Sequence, residues 1–261
     1  MLVHLREQVT AETAPTNLLP GPARWQLQSL YLVVAAQRSM AEYERHIGAT
    51  IGSSEWLWDT ADTLRFDKAT RELQSLRLRV PELNITPPGT AERWLSISPQ
   101  NGRLRLEAGE NFALEPATIR WLDPAGAALV CGDERIEQAD ATSLRLRVAP
   151  DVDLLFVNNT LCGWLLAQPA RYLVESWEEP APATPSAELN QALYRYYTLV
   201  SETSFEQMDD GDPDILAALI DLHTRLGAQP ATPQRDVLRT SIAAVVDTFY
   251  DQTLDDPSES A

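Results

Sequence analysis

Apolar and polar positions alternate with period two through the first two thirds of the chain and recur every three to four residues in the last third. Leu73-Gln74-Ser75-Leu76-Arg77-Leu78-Arg79-Val80 largely alternates and is stopped by Pro81, the signature of a half-buried strand. Thr63-Leu64-Arg65-Phe66-Asp67 alternates too, and the polar stretch 67–72 between them suits a turn, so 63–80 predicts a hairpin. Arg103-Leu104-Arg105-Leu106-Glu107 follows Asn101-Gly102, a turn pair typical of tight hairpins. Further strands are expected at 117–122, 127–131, 143–148 and 152–157, punctuated by Pro124, Gly126, Gly132-Asp133 and Pro150. Residues 25–36 also read as strand. Ser39 and Glu42 have capping-box spacing, which predicts a short helix over 40–47 closed by Gly48.

One strand echoes another. Ser75-Leu76-Arg77-Leu78-Arg79-Val80-Pro81 returns as Ser143-Leu144-Arg145-Leu146-Arg147-Val148-Ala149-Pro150. Trp58-Asp59 precedes the first copy and Trp121-Leu122-Asp123 the second. Trp94-Leu95 lies 13 residues after Pro81, and Trp164-Leu165 lies 14 after Pro150. The correspondence predicts two copies of one β unit, about 56–100 and 120–170, packed as a pseudo-symmetric sandwich or as a pair of packed sheets. The competing explanation is that alternating Leu-x-Leu strands resemble one another by chance. A weaker third echo lies at 27–34.

Three helices are expected afterwards. Leu189, Leu193, Tyr196, Tyr197 and Val200 share one face over about 187–203. Asp212-Pro213 and Thr232-Pro233 each set a cap before a proline at the first helical position. The fold class is therefore α+β. An antiparallel β-rich domain (1–177), with an internal duplication, leads through a Pro-rich linker (178–186) into a small three-helix acidic segment (187–254) and a disordered tail (255–261).

Charge sharpens this division. The net charge is -17, from 38 acidic and 21 basic residues. From residue 175 to the end there are 17 acidic and 4 basic residues, so most of the excess lies in the last third of the chain. Such a balance argues against a nucleic-acid backbone and an anionic membrane surface as partners. No apolar run is long enough to span a bilayer, no signal peptide is legible, and two cysteines make no disulfide framework, so a cytoplasmic chain is expected. Lys68 stands alone against 20 arginines. With abundant Ala and Pro, that bias reads as codon usage in a GC-rich bacterium.

Catalytic signals are sparse. His4, His46 and His223 lie far apart, and no HExxH, CxxC, P-loop, GxGxxG or GxSxG occurs, so no cofactor or metal is expected. Cys131 and Cys162 read as buried thiols. Glu206-Gln207-Met208-Asp209-Asp210-Gly211-Asp212-Pro213-Asp214 fails as a calcium loop, because Ile215 stands where the turn glycine belongs. The same stretch suits a helix cap, or an acidic contact surface. Tyr194 and Tyr197 with Glu206, Asp209, Asp210 and Asp214 form the candidate binding face, unless the tyrosines are bundle core.

The expected function is binding of a basic protein, in the form of an immunity-type inhibitor that neutralises a basic toxin. Two other classes compete. One is a structural or regulatory module holding a ligand between the β units. The other is a carboxylate enzyme using Asp59 and Asp123, the repeat-related pair.

Overall fold

The computed structural model describes residues 1–15, 17–53, 61–85 and 90–254. It opens with a hairpin of β1 (Leu2–Arg6) and β2 (Val9–Ala14), which the pattern analysis does not anticipate. The signal is short: Val3 and Leu5 are buried, while Leu2 and Arg6 face solvent. Residues 25–36 are indeed extended, as a second hairpin of β3 (Ala23–Gln26) and β4 (Tyr31–Val34). Helix α1 (Met40–Ala49) begins where Ser39 Oγ accepts the Glu42 N–H at 3.2 Å. After β5 (Ile51–Gly52), β6 (Thr63–Phe66) and β7 (Leu73–Arg79) form the expected hairpin.

The chain continues through β8 (Leu83–Asn84), α2 (Thr90–Ser96), β9 (Gln100–Asn101), β10 (Arg103–Leu106), β11 (Ile119–Leu122) and β12 (Ala128–Gly132). A 3-10 turn at Glu134–Gln138 leads to β13 (Leu144–Ala149), β14 (Val152–Val157), β15 (Thr160–Ala167) and β16 (Leu173–Val174). Helices α3 (Ala187–Leu199), α4 (Glu202–Asp209), α5 (Pro213–Gly227) and α6 (Pro233–Tyr250) complete it. The expected three helices are thus four. The extra one, α4, buries Met208 and begins where Ser204 Oγ accepts the Ser201 N–H at 3.1 Å.

β16, β3, β4, β7, β6 and β5 form a six-stranded sheet in that order. The other strands do something less usual. β1 pairs with β2, β2 with β10, and the chain passes directly from β10 back to β9, which pairs with β13. β13 pairs with β14, β14 with β15, and β15 returns to β1. With the β10–β9 link the pairings close into a ring whose strands are paired on both sides. β12, β11 and β8 branch from the far half of β15.

Asn101-Gly102 is therefore not a hairpin turn. Gly102 lies in one extended stretch that switches partners, from parallel β13 to antiparallel β2. Its N–H donates to Arg147 O at 3.1 Å. A Cβ there would sit 2.8 Å from Ala14 O and 3.1 Å from Leu146 Cδ1. The glycine serves close approach at the seam of the ring.

The two echoing segments also part company. β7 lies in the six-stranded sheet and β13 in the ring. Trp94 sits on helix α2, whereas Trp164 sits on strand β15. Among the described residues, 61–100 runs through β6, β7, β8, α2 and β9, and 120–170 through β11, β12, a 3-10 turn, β13, β14 and β15; Leu-x-Leu alternation specifies a strand and not its neighbours. After β13 the chain turns tightly through Asp151, at φ 61°, into β14. After β7 it leaves at Pro81 for a different sheet. Residues 56–60, with Trp58 and Asp59, fall outside the described residues, as does the tail 255–261.

One continuous core joins the ring (Leu5, Leu104, Phe156), the six-stranded sheet (Trp25, Leu64, Leu76) and the helices (Leu193, Leu222, Ile242). The stretch 178–186 carries no helix or strand and is tied to both sides. Arg24 Nε donates to Glu178 O at 3.0 Å, and Gln234 Nε2 to Ala181 O at 3.1 Å.

Buried arginines finish the assembly. Arg65 on β6 donates to Ile47 O (2.8 Å) and Thr50 O (2.6 Å) at the end of α1. Arg145 on β13 donates to Trp94 O and Ile97 O, each at 2.9 Å, at the end of α2. Arg120 on β11 donates to Val200 O at 2.6 Å at the end of α3 and to Asn84 Oδ1 at 2.7 Å. Each helix C-terminus has unsatisfied carbonyls at the negative end of the macrodipole. A guanidinium fork can serve several at once.

The seam at Gly102 is open to a direct check. Gly102→Ala is expected to lower unfolding stability by about 1–3 kcal/mol, the usual cost of overpacking, as read from urea denaturation. A change below ~0.5 kcal/mol, the scale of neutral substitutions, would show that the ring does not close tightly there.

Candidate functional site

The acidic corner where α4 meets α5 is built by local rules. Gly211, at φ 75°, turns the chain between the helices. Asp212 Oδ1 then accepts the N–H groups of Asp214 (2.8 Å) and Ile215 (3.1 Å), capping α5 ahead of Pro213. Tyr250 Oη donates to Asp212 O at 3.1 Å, which fixes the corner to the end of α6. The cap expected from the sequence is present.

The corner carries more charge than the cap requires. No lysine or arginine occurs between Arg195 and Arg225, a stretch with seven carboxylates. Asp221 is neutralised by Arg195 at 3.1 Å and Arg225 at 2.9 Å. Among the described residues no ion pair reaches Glu202, Glu206, Asp209, Asp210 or Asp214, and all five are exposed. Asp212 and Asp214 sit at the N-terminus of α5, where the dipole favours them. Glu206, Asp209 and Asp210 crowd the C-terminal turn of α4, where it does not. Those three carboxylates cost stability at their position.

The two tyrosines of the candidate face go elsewhere. Tyr197 is 2% exposed. Its ring packs 5.4 Å from Trp25 and lies 4.0 Å beneath the Arg120 guanidinium, and burial raises its hydroxyl pKa. It is core and cannot meet a partner. Its place on the buried face of α3, with Leu189, Leu193 and Tyr196, follows from the helical period. Tyr194 is exposed but lines a groove of about 460 Å³ beside Leu222 and Leu226. That is the other end of α5 from Asp214, ~18 Å away at 1.5 Å per residue. Glu206, Asp209, Asp210 and Asp214 are each exposed along the α4–α5 stretch, and neither tyrosine lies on it.

Catalytic alternatives find little geometry. Asp123 Oδ2 accepts the Ala127 N–H at 2.8 Å and closes the β11–β12 turn; Asp59 lies outside the described residues. Cys131 and Cys162 are buried, and burial pushes the Cys162 thiol up to about 12, far from thiolate at neutral pH. His46 Nε2 lies 2.8 Å from Ser75 Oγ, the spacing of a base and a nucleophile. Ser75 is fully buried in β7, so no substrate reaches it. The His46 pKa is lowered by burial and then by nearby Arg65. Among the described residues no three His, Cys, Asp or Glu side chains are grouped to hold a metal, and no helix is long and apolar enough to cross a membrane.

No protein family, no curated protein and no solved structure matches the chain.

The two tyrosines should separate in stability. Tyr197→Ala is expected to cost about 3–5 kcal/mol, the range for an emptied aromatic site, and Tyr194→Ala less than ~1 kcal/mol, both by chemical denaturation. Equal losses would place Tyr194 in the core and remove the distinction.

Proposed function

We propose that the chain acts by binding and not by catalysis, presenting the α4–α5 corner to a basic protein. Its concrete form is an inhibitor of the immunity type, a bacterial cytoplasmic protein that neutralises a basic toxin. One observation supports this above the others. Glu206, Asp209 and Asp210 are exposed, without a cation, at the helix end where carboxylates are unfavourable. A charge arrangement that lowers stability is retained where it serves recognition, as an acidic patch does when it steers a basic partner. The corner is also held rigidly by the Asp212 cap and Tyr250, so little ordering is needed on association.

The quadruple substitution Glu206→Gln, Asp209→Asn, Asp210→Asn and Asp214→Asn tests this. Wild-type protein, used as bait in lysate of its native host at ~0.15 M salt, is expected to capture a basic protein. That capture should fall steeply by ~0.5 M salt and be lost in the variant. The variant should be about as stable as wild type, because relief of repulsion at Glu206, Asp209 and Asp210 offsets the dipole interaction lost at Asp214. Capture that survives the quadruple substitution, or the absence of any basic partner, would end this proposal.

A further inference from the structure

Away from the acidic corner, a cavity of about 820 Å³ opens where β1 ends and β15 begins, with the extended segment 113–118 along one side. Its volume is in the range of small-ligand sites, ~300–1,000 Å³. Its inner wall includes the buried side chains of Leu78, Leu154 and Trp164. Trp164 is 1% exposed, and its Nε1 has no hydrogen-bond partner among the described residues. A buried donor left in that state costs free energy.

Exposed charges of both signs stand at the mouth. Arg6 gives Nη1 to Ala113 O at 2.9 Å. Among the described residues no ion pair engages Arg6, Glu7 or Glu115. The neighbouring Arg135 is different, committed to Asp133 and to Leu161 O at 2.8 Å. A simple anion entering here meets Glu7 and Glu115, and a simple cation meets Arg6. A molecule carrying both signs and an apolar body satisfies the rim and the inner wall together.

We propose that this cavity binds a zwitterionic molecule of amino-acid or short-peptide type with apolar side chains. Its carboxylate pairs with Arg6 and its ammonium with Glu7 or Glu115. Its apolar part lies over Leu78, Leu154 and Trp164. The site is independent of the acidic corner, and either can fail without the other.

Calorimetric titration of the full chain with leucyl-leucine tests it, beside three controls: N-acetyl-leucyl-leucine, leucyl-leucine amide and diglycine. Leucyl-leucine is expected to bind, with each control weaker by about tenfold or more: the acetyl and amide forms for want of one charged contact, and diglycine for want of the apolar side chains. Arg6→Gln should weaken leucyl-leucine by about tenfold yet leave the amide unchanged, since the amide lacks the group that Arg6 recognises. Arg6 is exposed and its replacement leaves the core intact. Equal binding of all four compounds, an Arg6→Gln variant that binds leucyl-leucine as wild type does, or no heat up to ~10 mM leucyl-leucine would overturn the proposal.

Discussion

The interaction on which the rest of the structure depends is the buried guanidinium from a strand placed on the C-terminal carbonyls of a helix. It occurs at α1 through Arg65, at α2 through Arg145 and at α3 through Arg120. All three arginines are nearly inaccessible. Among the described residues only Arg145 has a carboxylate partner, Asp153, itself fully buried and shared with Arg147. For Arg65 and Arg120 the counter-charge is the helix end itself, supplemented at Arg120 by the Tyr197 ring. Burial lowers the pKa of both, from so high a reference that each stays charged. Removing either would orphan several buried carbonyls together, which is costlier than losing one hydrogen bond.

That constraint reaches the proposed functional surface. Arg120 holds the end of α3, and α4 starts two residues beyond Val200. Glu202 N–H donates to Glu82 O at 3.0 Å, close to β8, and Asn84 of β8 shares the Arg120 site. The acidic corner therefore takes its position from β11 and β8, although its charge lies wholly in the helices. The common core strengthens the link, since the ring, the second sheet and α3–α6 bury their apolar faces against one another.

Much of this was legible in the residues. Strand alternation located β6, β7 and β10–β14, and helical spacing located α3, α5 and α6, because each buries one face and so writes its period into the chain. Partnership was less legible. Asn101-Gly102 resembles a turn, yet its glycine answers to backbone on a strand 88 residues earlier, Ala14. The echo of β7 in β13 is real as letters, but Arg77 stacks over Tyr31 while its counterpart Arg145 clamps α2. Tyr197 follows the core period of α3, but the period alone does not separate a core tyrosine from a surface anchor; its neighbours Trp25 and Arg120 do. The arginine bias reads as codon usage in composition. In the fold, many of these arginines donate to main-chain carbonyls, a task the geometry of lysine serves less well.

The most direct test is amide hydrogen exchange on Arg120→Lys, which keeps the charge and removes the fork. Exchange should accelerate in the last turn of α3 and in α4, while α1, held by Arg65, keeps its protection. Global stability should fall by about 2–4 kcal/mol, the loss of two charged hydrogen bonds to buried acceptors. Unchanged protection at 196–204 with a loss below ~0.5 kcal/mol, within the range of neutral surface changes, would contradict the claim that strand arginines anchor the helix ends.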